Sequence, residues 1–177
     1  MPRFYYEPSE KQGNRIVMTG EDVNHIKNVL RSRVGEIFTL CDGMGTDCEA
    51  KITDISERNS VTFEALSEKP SDTELPVRIV LYQGIPKKDK MELIIQKAVE
   101  LGAAGVVPVL RQRCPVRLSD PDAARKRERW QRIAHEACKQ SGRTVEPVVS
   151  LPLSLSAALR EIGTCDAAAV PWEEEKA

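Results

Sequence analysis

The chain has 177 residues, 41% of them hydrophobic and 30% charged, which suffices for one large or two small globular domains. No run of eighteen apolar residues is present and MPRFYYEPSE has no apolar segment, so we expect neither a membrane span nor a signal peptide, and a cytoplasmic protein. The five cysteines form no CxxC pair and only two histidines accompany them, which predicts free thiols and no metal site.

The net charge of −1 is unevenly distributed along the chain. Residues 1–70 contain 9 basic and 12 acidic side chains, residues 71–150 contain 15 and 10, and residues 151–177 contain 2 and 5. A basic middle segment suits a polyanion, although charge on solvated helix surfaces is the commoner explanation. The charge distribution is therefore compatible with nucleic-acid binding but does not establish it.

The first seventy residues predict a small β-rich unit with one helix. Thr19 and Asp22 have the spacing of a capping box, and Val23, Ile26 and Leu30 would form the inner face of the helix that follows. The predicted elements are the strands Arg3–Tyr6, Glu36–Leu40, Asp47–Ile55 and Val61–Leu66 and the helix Glu21–Leu30. Short strands around one helix indicate a small barrel.

A polar stretch with two prolines, SEKPSDTELP at 67–76, predicts a linker. Beyond it strands and helices alternate, which predicts a parallel sheet with right-handed crossovers. The predicted strands are Val77–Gln83, Val106–Leu110, Val145–Val149 and Asp166–Val170, and the predicted helices are Lys88–Leu101, Pro121–Gln140 and Ser154–Ile162. We therefore expect a barrel at 1–70, a linker at 71–76 and an α/β domain at 77–177.

Several polar residues of the α/β segment stand at positions where folding alone does not require them. The strand ending in LRQRC delivers Arg111 and Arg113 to the sheet edge where open α/β folds bind ligands, and arginine binds phosphate bidentately. Gly142 is expected to end a helix, which leaves Gln140 and Arg143 without a structural reason. A basic run lies nearby: Arg125, Lys126, Arg127, Arg129 and Arg132. These residues indicate an edge that faces phosphates, whereas phosphate-binding glycine loops and hydrolase triads are absent.

Linked blocks of sequence carry a family resemblance. KKDKMELIIQKAVELG, RQRC, RW with IAHEACKQSGR, and EPVV resemble, in order and spacing, the RsmE family of bacterial methyltransferases, which methylate N3 of a uridine in 16S ribosomal RNA. MPRFY, HIKNVLRSRVGE and LCDGMGTDCEA resemble the family's PUA-like barrel. The resemblance implies a SPOUT domain whose C-terminal part is knotted around S-adenosylmethionine, and a homodimer.

The resemblance also implies roles for individual residues, with no catalytic base assigned. Pro171, Trp172 and Glu173 would border the donor pocket. The GPEGG loop and the LRTETA-like segment of the family lie outside the 177 residues, so we expect the chain alone to be inactive. The residues expected to bind RNA are Arg3, Phe4, His25, Arg31, Arg33, Lys88, Lys90, Arg113, Gln140 and Arg143.

Two other functions fit the same features. A non-catalytic RNA-binding module, or an inactive fragment of the enzyme, needs only the barrel and the basic middle segment. A small-molecule α/β enzyme needs the parallel sheet but no polyanion, so its ligand affinity would not depend on salt.

Overall fold

The computed structural model describes residues 3–87, 90–110 and 119–171. Its N-terminal unit is one six-stranded sheet in the order β1-β4-β5-β6-β3-β2, with β1 parallel to β4 and the other neighbours antiparallel. The strands are β1 (Arg3–Tyr5), β2 (Lys11–Gln12), β3 (Arg15–Thr19), β4 (Ile37–Cys41), β5 (Thr46–Asp54) and β6 (Ser60–Pro70). The sheet curls into a half-barrel, which confirms the predicted PUA-like unit.

The concave side of the half-barrel encloses an aromatic core. Phe38 lies between Phe4 and Phe63, with ring centroids 5.8 and 6.1 Å away. Side chains alternate between the two faces of a strand, so β-branched and aromatic residues at every second position bury together. Strand β3 shows this alternation, whereas Ser60, Val61, Thr62 and Phe63 of β6 are all buried.

Helix α1 (Glu21–Asn24) continues as a π-helical turn (His25–Val29) across the half-barrel. Val23 and Ile26 are buried as predicted. The predicted capping box is wrong, because Thr19 ends β3 and donates from its backbone nitrogen and its hydroxyl to Glu10 at 2.8 and 2.7 Å. Gly20 is the N-cap instead, with no side-chain hydrogen bond.

The β2–β3 hairpin is an element that the sequence prediction omitted. Lys11 pairs with Ile16 and Gln12 with Arg15, which leaves a two-residue loop of Gly13 and Asn14. Gly13 has φ 60°, and glycine at the first loop position is the requirement of a type II′ turn.

The second unit is a parallel sheet flanked by helices, as predicted. Central strand β8 lies beside β7 on one side and pairs with β9 and β10 on the other. Helices α2 and α3 pack together over the sheet and bury Met91, Ile95, Trp130 and Ala134. The elements are β7 (Val80–Gly84), α2 (Lys90–Glu100), β8 (Gly105–Leu110), α3 (Asp120–Ser141), β9 (Val148–Val149), β10 (Leu153–Ser154) and α4 (Leu155–Ile162).

Two predicted strands differ from the structure. Residues 166–170 form no strand, because an alanine run has little to pack on a pleated surface and no neighbouring strand pairs with it among the described residues. The predicted strand Val145–Val149 is divided: Val148–Val149 joins the parallel sheet, whereas Val145 forms an antiparallel bridge with Met44 of the half-barrel. Within 3–87, 90–110 and 119–171, no helix has the length and apolar character that crossing a membrane requires.

Candidate functional site

The end of α3 is where the two units meet. Gly142 takes the left-handed conformation, φ 71°, and the Arg143 backbone N–H donates to the Cys138 carbonyl at 3.1 Å, so the helix ends as predicted. The chain then turns toward the half-barrel, where Gly45 N–H donates to the Thr144 carbonyl at 3.1 Å. We call this contact region the domain junction: Arg3, Tyr5, Asp22, Glu74, Lys139 and residues 142–146.

Arg143 is held inside the domain junction by Glu74. Its Nε and Nη2 donate to Glu74 Oε2 at 3.1 and 2.5 Å, and its Nη1 donates to the carbonyls of Val99 and Ala103. Glu74 Oε1 accepts from the backbone N–H groups of Thr144 and Val145 at 2.9 and 3.1 Å. Only 6% of the Arg143 side chain is exposed, so its charge serves the fold rather than an external phosphate.

The Glu74 carboxylate is stabilised in its charged form. Burial by itself would raise its pKa, but the hydrogen bonds from Arg143, Val145 and Thr144 outweigh that effect and hold the pKa below its ordinary value. Glu74 belongs to the stretch that the sequence predicted as a linker. The stretch is therefore pinned at this residue to the end of α3.

The half-barrel contributes its own polar contacts to the domain junction. Arg3 donates to Asp47 Oδ2 at 2.9 Å and to the Gly142 carbonyl. Lys139 of α3 pairs with both carboxylate oxygens of Asp22, at 2.8 and 3.0 Å. Tyr5 donates its hydroxyl to the Arg143 carbonyl, and burial raises the pKa of that hydroxyl above its ordinary range. Arg3 thus binds protein groups on both sides of the junction.

A cleft of about 430 Å³ opens beside the domain junction and carries acidic groups, including Asp22, Asp42 and Glu146. His135 Nδ1 lies 3.0 Å from Glu146 Oε2. The hydrogen bond with Glu146 raises the pKa of His135, and the same contact lowers the pKa of Glu146. A cleft lined by acidic groups does not attract phosphates.

The π-helical turn after α1 and the loop that follows it, residues 25–36, present three of the predicted RNA-binding residues to solvent, and we call this segment the α1 loop. His25, Arg31 and Arg33 are exposed, and Arg31 has φ 55°, which is uncommon for a residue with a side chain. Between the arginines, Ser32 is buried and its hydroxyl has no hydrogen-bond partner among the described residues. Strained backbone of this kind concentrates at binding and catalytic sites.

The other predicted residues are dispersed. Lys90 is exposed at the start of α2 and Gln140 is exposed near the end of α3. Phe4 is buried in the half-barrel core and touches His25, with ring centroids 5.6 Å apart, so it packs rather than stacking on a base. Lys88, Arg113, Trp172 and Glu173 lie outside the described residues.

Pro171 is the one described residue of the predicted donor border. It is exposed in an irregular stretch beyond α4, and proline offers no backbone N–H to a ligand's carboxylate or hydroxyl oxygens. This residue alone does not form a donor-binding site. No group of three or more potential metal ligands is found in the described ranges.

Sequence reasoning missed the partners that complete the domain junction. Glu74 lies in a polar stretch with no periodicity, and Asp22 was interpreted as part of a helix cap. Chemistry requires that a buried arginine has an acidic or carbonyl acceptor, so the burial of Arg143 implies a partner such as Glu74. Nothing local identifies which of the chain's 27 acidic residues provides it.

Comparisons with known proteins identify the class of protein to which this chain belongs. A family model described as an RNA methyltransferase domain matches residues 73–177, more than half of the chain, and one described as an RNA methyltransferase PUA domain matches residues 18–66. A curled sheet followed by a parallel sheet with flanking helices agrees with both matches. The fold and the matches define an RNA methyltransferase that carries a PUA domain.

Individual relatives narrow the class to a family. The chain is 34% identical over 177 residues to ribosomal RNA small subunit methyltransferase E of Bacillus subtilis, covering 98% of the chain and 69% of that protein. The Synechocystis protein of that name is 32% identical over 152 residues, covering 86% of the chain and 48% of that protein. A Neisseria gonorrhoeae structure of that name, bound to S-adenosyl methionine, has 40% identity and a TM-score of 0.76, covering 90% of the chain and 65% of that structure. The chain belongs to the ribosomal RNA small subunit methyltransferase E family, whose methyl donor is S-adenosylmethionine.

Proposed function

We propose that the protein transfers the methyl group of S-adenosylmethionine to N3 of a uridine in 16S ribosomal RNA. The observation that carries this proposal is the 34% identity with the Bacillus subtilis protein across 98% of the chain. The chain spans between about half and seven tenths of the two curated relatives described above, so the activity of the whole protein is part of the proposal.

The chemistry sets three requirements on the protein. Uridine N3 is a neutral imide nitrogen and a poor nucleophile until it loses its proton. The protein must therefore orient the base, stabilise negative charge that develops on O2 or O4, and present the methyl group in line with N3. A uridine in folded RNA must also be removed from its stack first, which requires a firm hold on the flanking nucleotides.

We assign that hold first to the exposed loop that follows α1. His25, Arg31 and Arg33 offer one aromatic ring and two guanidinium groups, and arginine binds phosphate bidentately. A cleft of about 490 Å³ opens beside α1, lined in part by Lys27 and Arg58. Together these groups provide cations and an aromatic surface for a single RNA strand, the combination that such binding requires.

Lys90 and Gln140 are proposed as RNA contacts of the second unit, since both are exposed. Lys88 and Arg113 remain proposals on the family resemblance alone, as do Trp172 and Glu173 for the donor. For Arg3, Phe4 and Arg143 we propose a role in domain architecture instead, because their side chains bind or pack against other parts of the protein.

The proposal also covers the domain boundaries, the cellular location and the oligomeric state. We propose that 1–70 and 77–177 are the two domains, joined through 71–76, and that the enzyme is a cytoplasmic homodimer. Exposed apolar side chains on the second unit, among them Leu93, Leu101 and Leu159, are the surface that such an interface would cover. Light scattering after size-exclusion chromatography tests the dimer.

The test of the activity uses the full-length gene product, isotope-labelled S-adenosylmethionine and unmethylated small ribosomal subunits. We expect label in 16S ribosomal RNA, at N3 of one uridine when nuclease fragments are sequenced by mass spectrometry. The double variant Arg31→Gln/Arg33→Gln should methylate far more slowly than the barrel variant Arg15→Gln, because Arg15 is exposed on β3 and outside the loop. The single variants Arg31→Gln and Arg33→Gln, which remove one charge each as Arg15→Gln does, should also be slower than Arg15→Gln.

Two results would overturn the proposal. Label on another atom or another RNA would refute the reaction. RNA binding without donor binding by the full-length product would identify the non-catalytic RNA-binding module instead. Equal rates for the double variant and Arg15→Gln would refute the assignment of the α1 loop while leaving the reaction intact.

A further inference from the structure

Helix α3 carries a cationic surface to which the proposed reaction gives no role. We define the α3 basic stripe as Arg125, Arg129 and Arg132, all exposed. The opposite face of the helix buries Trp130, Ala134, Ala137 and Cys138 in the core of the second unit. A helix turns 100° per residue, so Arg125, Arg129 and Arg132 project from one side, facing away from that core.

Folding does not require this concentration of charge. Arg125 and Arg129 are four residues apart and Arg129 and Arg132 three apart, and like charges at these spacings destabilise a helix. Arg129 Nη2 is compensated by Glu92 Oε1 of α2 at 2.7 Å. Glu128 lies within one turn of both Arg125 and Arg132, and the exposed Glu136 lies within one turn of Arg132. Neither arginine forms an ion pair with them in the part of the chain that the structure describes.

The stripe also has a fixed position relative to the half-barrel. The last turn of α3 is docked there through the ion pair of Lys139 with Asp22 and through the contact of Arg3 with Gly142. At 1.5 Å per residue, Arg132 lies about 10 Å along the axis from Lys139, and Arg125 about 10 Å further. One RNA held by the half-barrel can therefore reach the stripe without a change in domain arrangement.

We propose that the α3 basic stripe binds RNA backbone phosphates on the flank of the target, as a second contact surface beside the α1 loop. The inference rests on the proposed function, because it takes RNA as the substrate. Exposed, uncompensated guanidinium groups bind phosphates without reading bases, so the stripe adds affinity and orientation but no sequence preference.

The experiment measures RNA affinity of the intact protein by fluorescence anisotropy, with a fluorescein-labelled RNA hairpin, over a series of salt concentrations. The double variant Arg125→Gln/Arg132→Gln removes two exposed charges from the stripe. The matched control Arg78→Gln/Arg160→Gln removes two exposed charges from the same unit outside α3. Arg125→Lys/Arg132→Lys retains the charge.

Loss of two phosphate contacts should lower the slope of log affinity against log salt by about 1.4 to 1.8 and weaken binding roughly tenfold or more near 0.1 M salt. The lysine variant should retain most of the slope, and the matched control should bind like the parent. A slope unchanged in the glutamine variant, or reduced equally in the matched control, overturns the inference.

Failure of the inference and failure of the proposed function are distinguishable. If the parent methylates uridine N3 while the stripe variant binds RNA with the parental slope, the stripe inference fails and the proposed function stands. If the parent transfers no methyl group but the stripe variant alone loses salt-dependent RNA binding, the proposed function fails and the stripe remains an RNA surface.

Discussion

Removing the Glu74 carboxylate is the perturbation that bears most directly on the domain junction. In Glu74→Ala, the Arg143 side chain, which is 6% exposed in the parent, loses its counter-ion, and the N–H groups of Thr144 and Val145 lose their acceptor. Breaking one side of a buried ion pair costs about 3–5 kcal/mol. The Glu74 side chain is 22% exposed, so water enters the space it leaves, and we expect about 3 kcal/mol.

Urea unfolding followed by circular dichroism measures this free energy. For a chain of this length, about 3 kcal/mol also lowers the melting temperature by roughly 6–12 °C. The matched control is Glu68→Ala, since the pair of Glu68 with Lys11 joins two more exposed side chains and is worth at most about 1 kcal/mol. The double variant Glu74→Ala/Arg143→Leu removes the stranded charge as well, so it should recover part of the loss.

The reasoning is refuted by equal losses in Glu74→Ala and Glu68→Ala. Such a result would mean that water solvates the Arg143 guanidinium after the substitution, so that no buried charge is left without a partner. A double variant that is as unstable as the sum of its single variants would refute the coupling between the two side chains.

Three further outcomes are expected from pKa shifts and backbone strain. Because the folded pKa of Glu74 is lowered, its contribution is complete above the ordinary value of 4.5 and is lost as pH falls, so the stability gap between parent and Glu74→Gln should narrow in urea titrations below that pH. The pKa of His135, measured by NMR titration, should lie above the ordinary 6.5 and should fall in Glu146→Gln. An unchanged titration midpoint in Glu146→Gln would contradict the pairing of the two side chains. Since the folded pKa of His135 is raised, the stability that the pair adds is lost as pH rises through that pKa. Arg31→Asn should unfold in urea like the parent because asparagine tolerates φ 55°, whereas Arg31→Val should lose about 1–2 kcal/mol.

Much of the second unit follows from local periodicity. The apolar positions of α2 recur at helical spacing, Gly142 marks the end of α3, and short apolar runs give β7 and β8, all close to their predicted bounds. The strand predicted at the alanine-rich 166–170 is wrong, because hydrophobicity alone does not make a strand without a neighbour to pair with.

The junction was beyond prediction for a different reason. Val145 lies three residues before Val148 and was predicted to share one strand with it, and nothing in the local sequence indicates that Val145 pairs with Met44 from the half-barrel. The contacts of Arg143 were likewise not predicted, because an arginine after a helix end has the same local pattern whether it meets Glu74 or solvent. Contacts between residues 69 or more apart leave no local periodicity.

The domain junction changes what the half-barrel can contribute to the reaction. A barrel tethered by a flexible linker raises the local concentration of RNA but leaves the target base unoriented. Here the linker is pinned through Glu74, α3 is docked through Lys139, and β1 is attached through Arg3. Since misplacement of a reacting group by about 1 Å can cost roughly 100-fold in rate, a held orientation is worth more to methyl transfer than added affinity. The ion pairs and hydrogen bonds of the junction therefore fix the half-barrel against the end of α3.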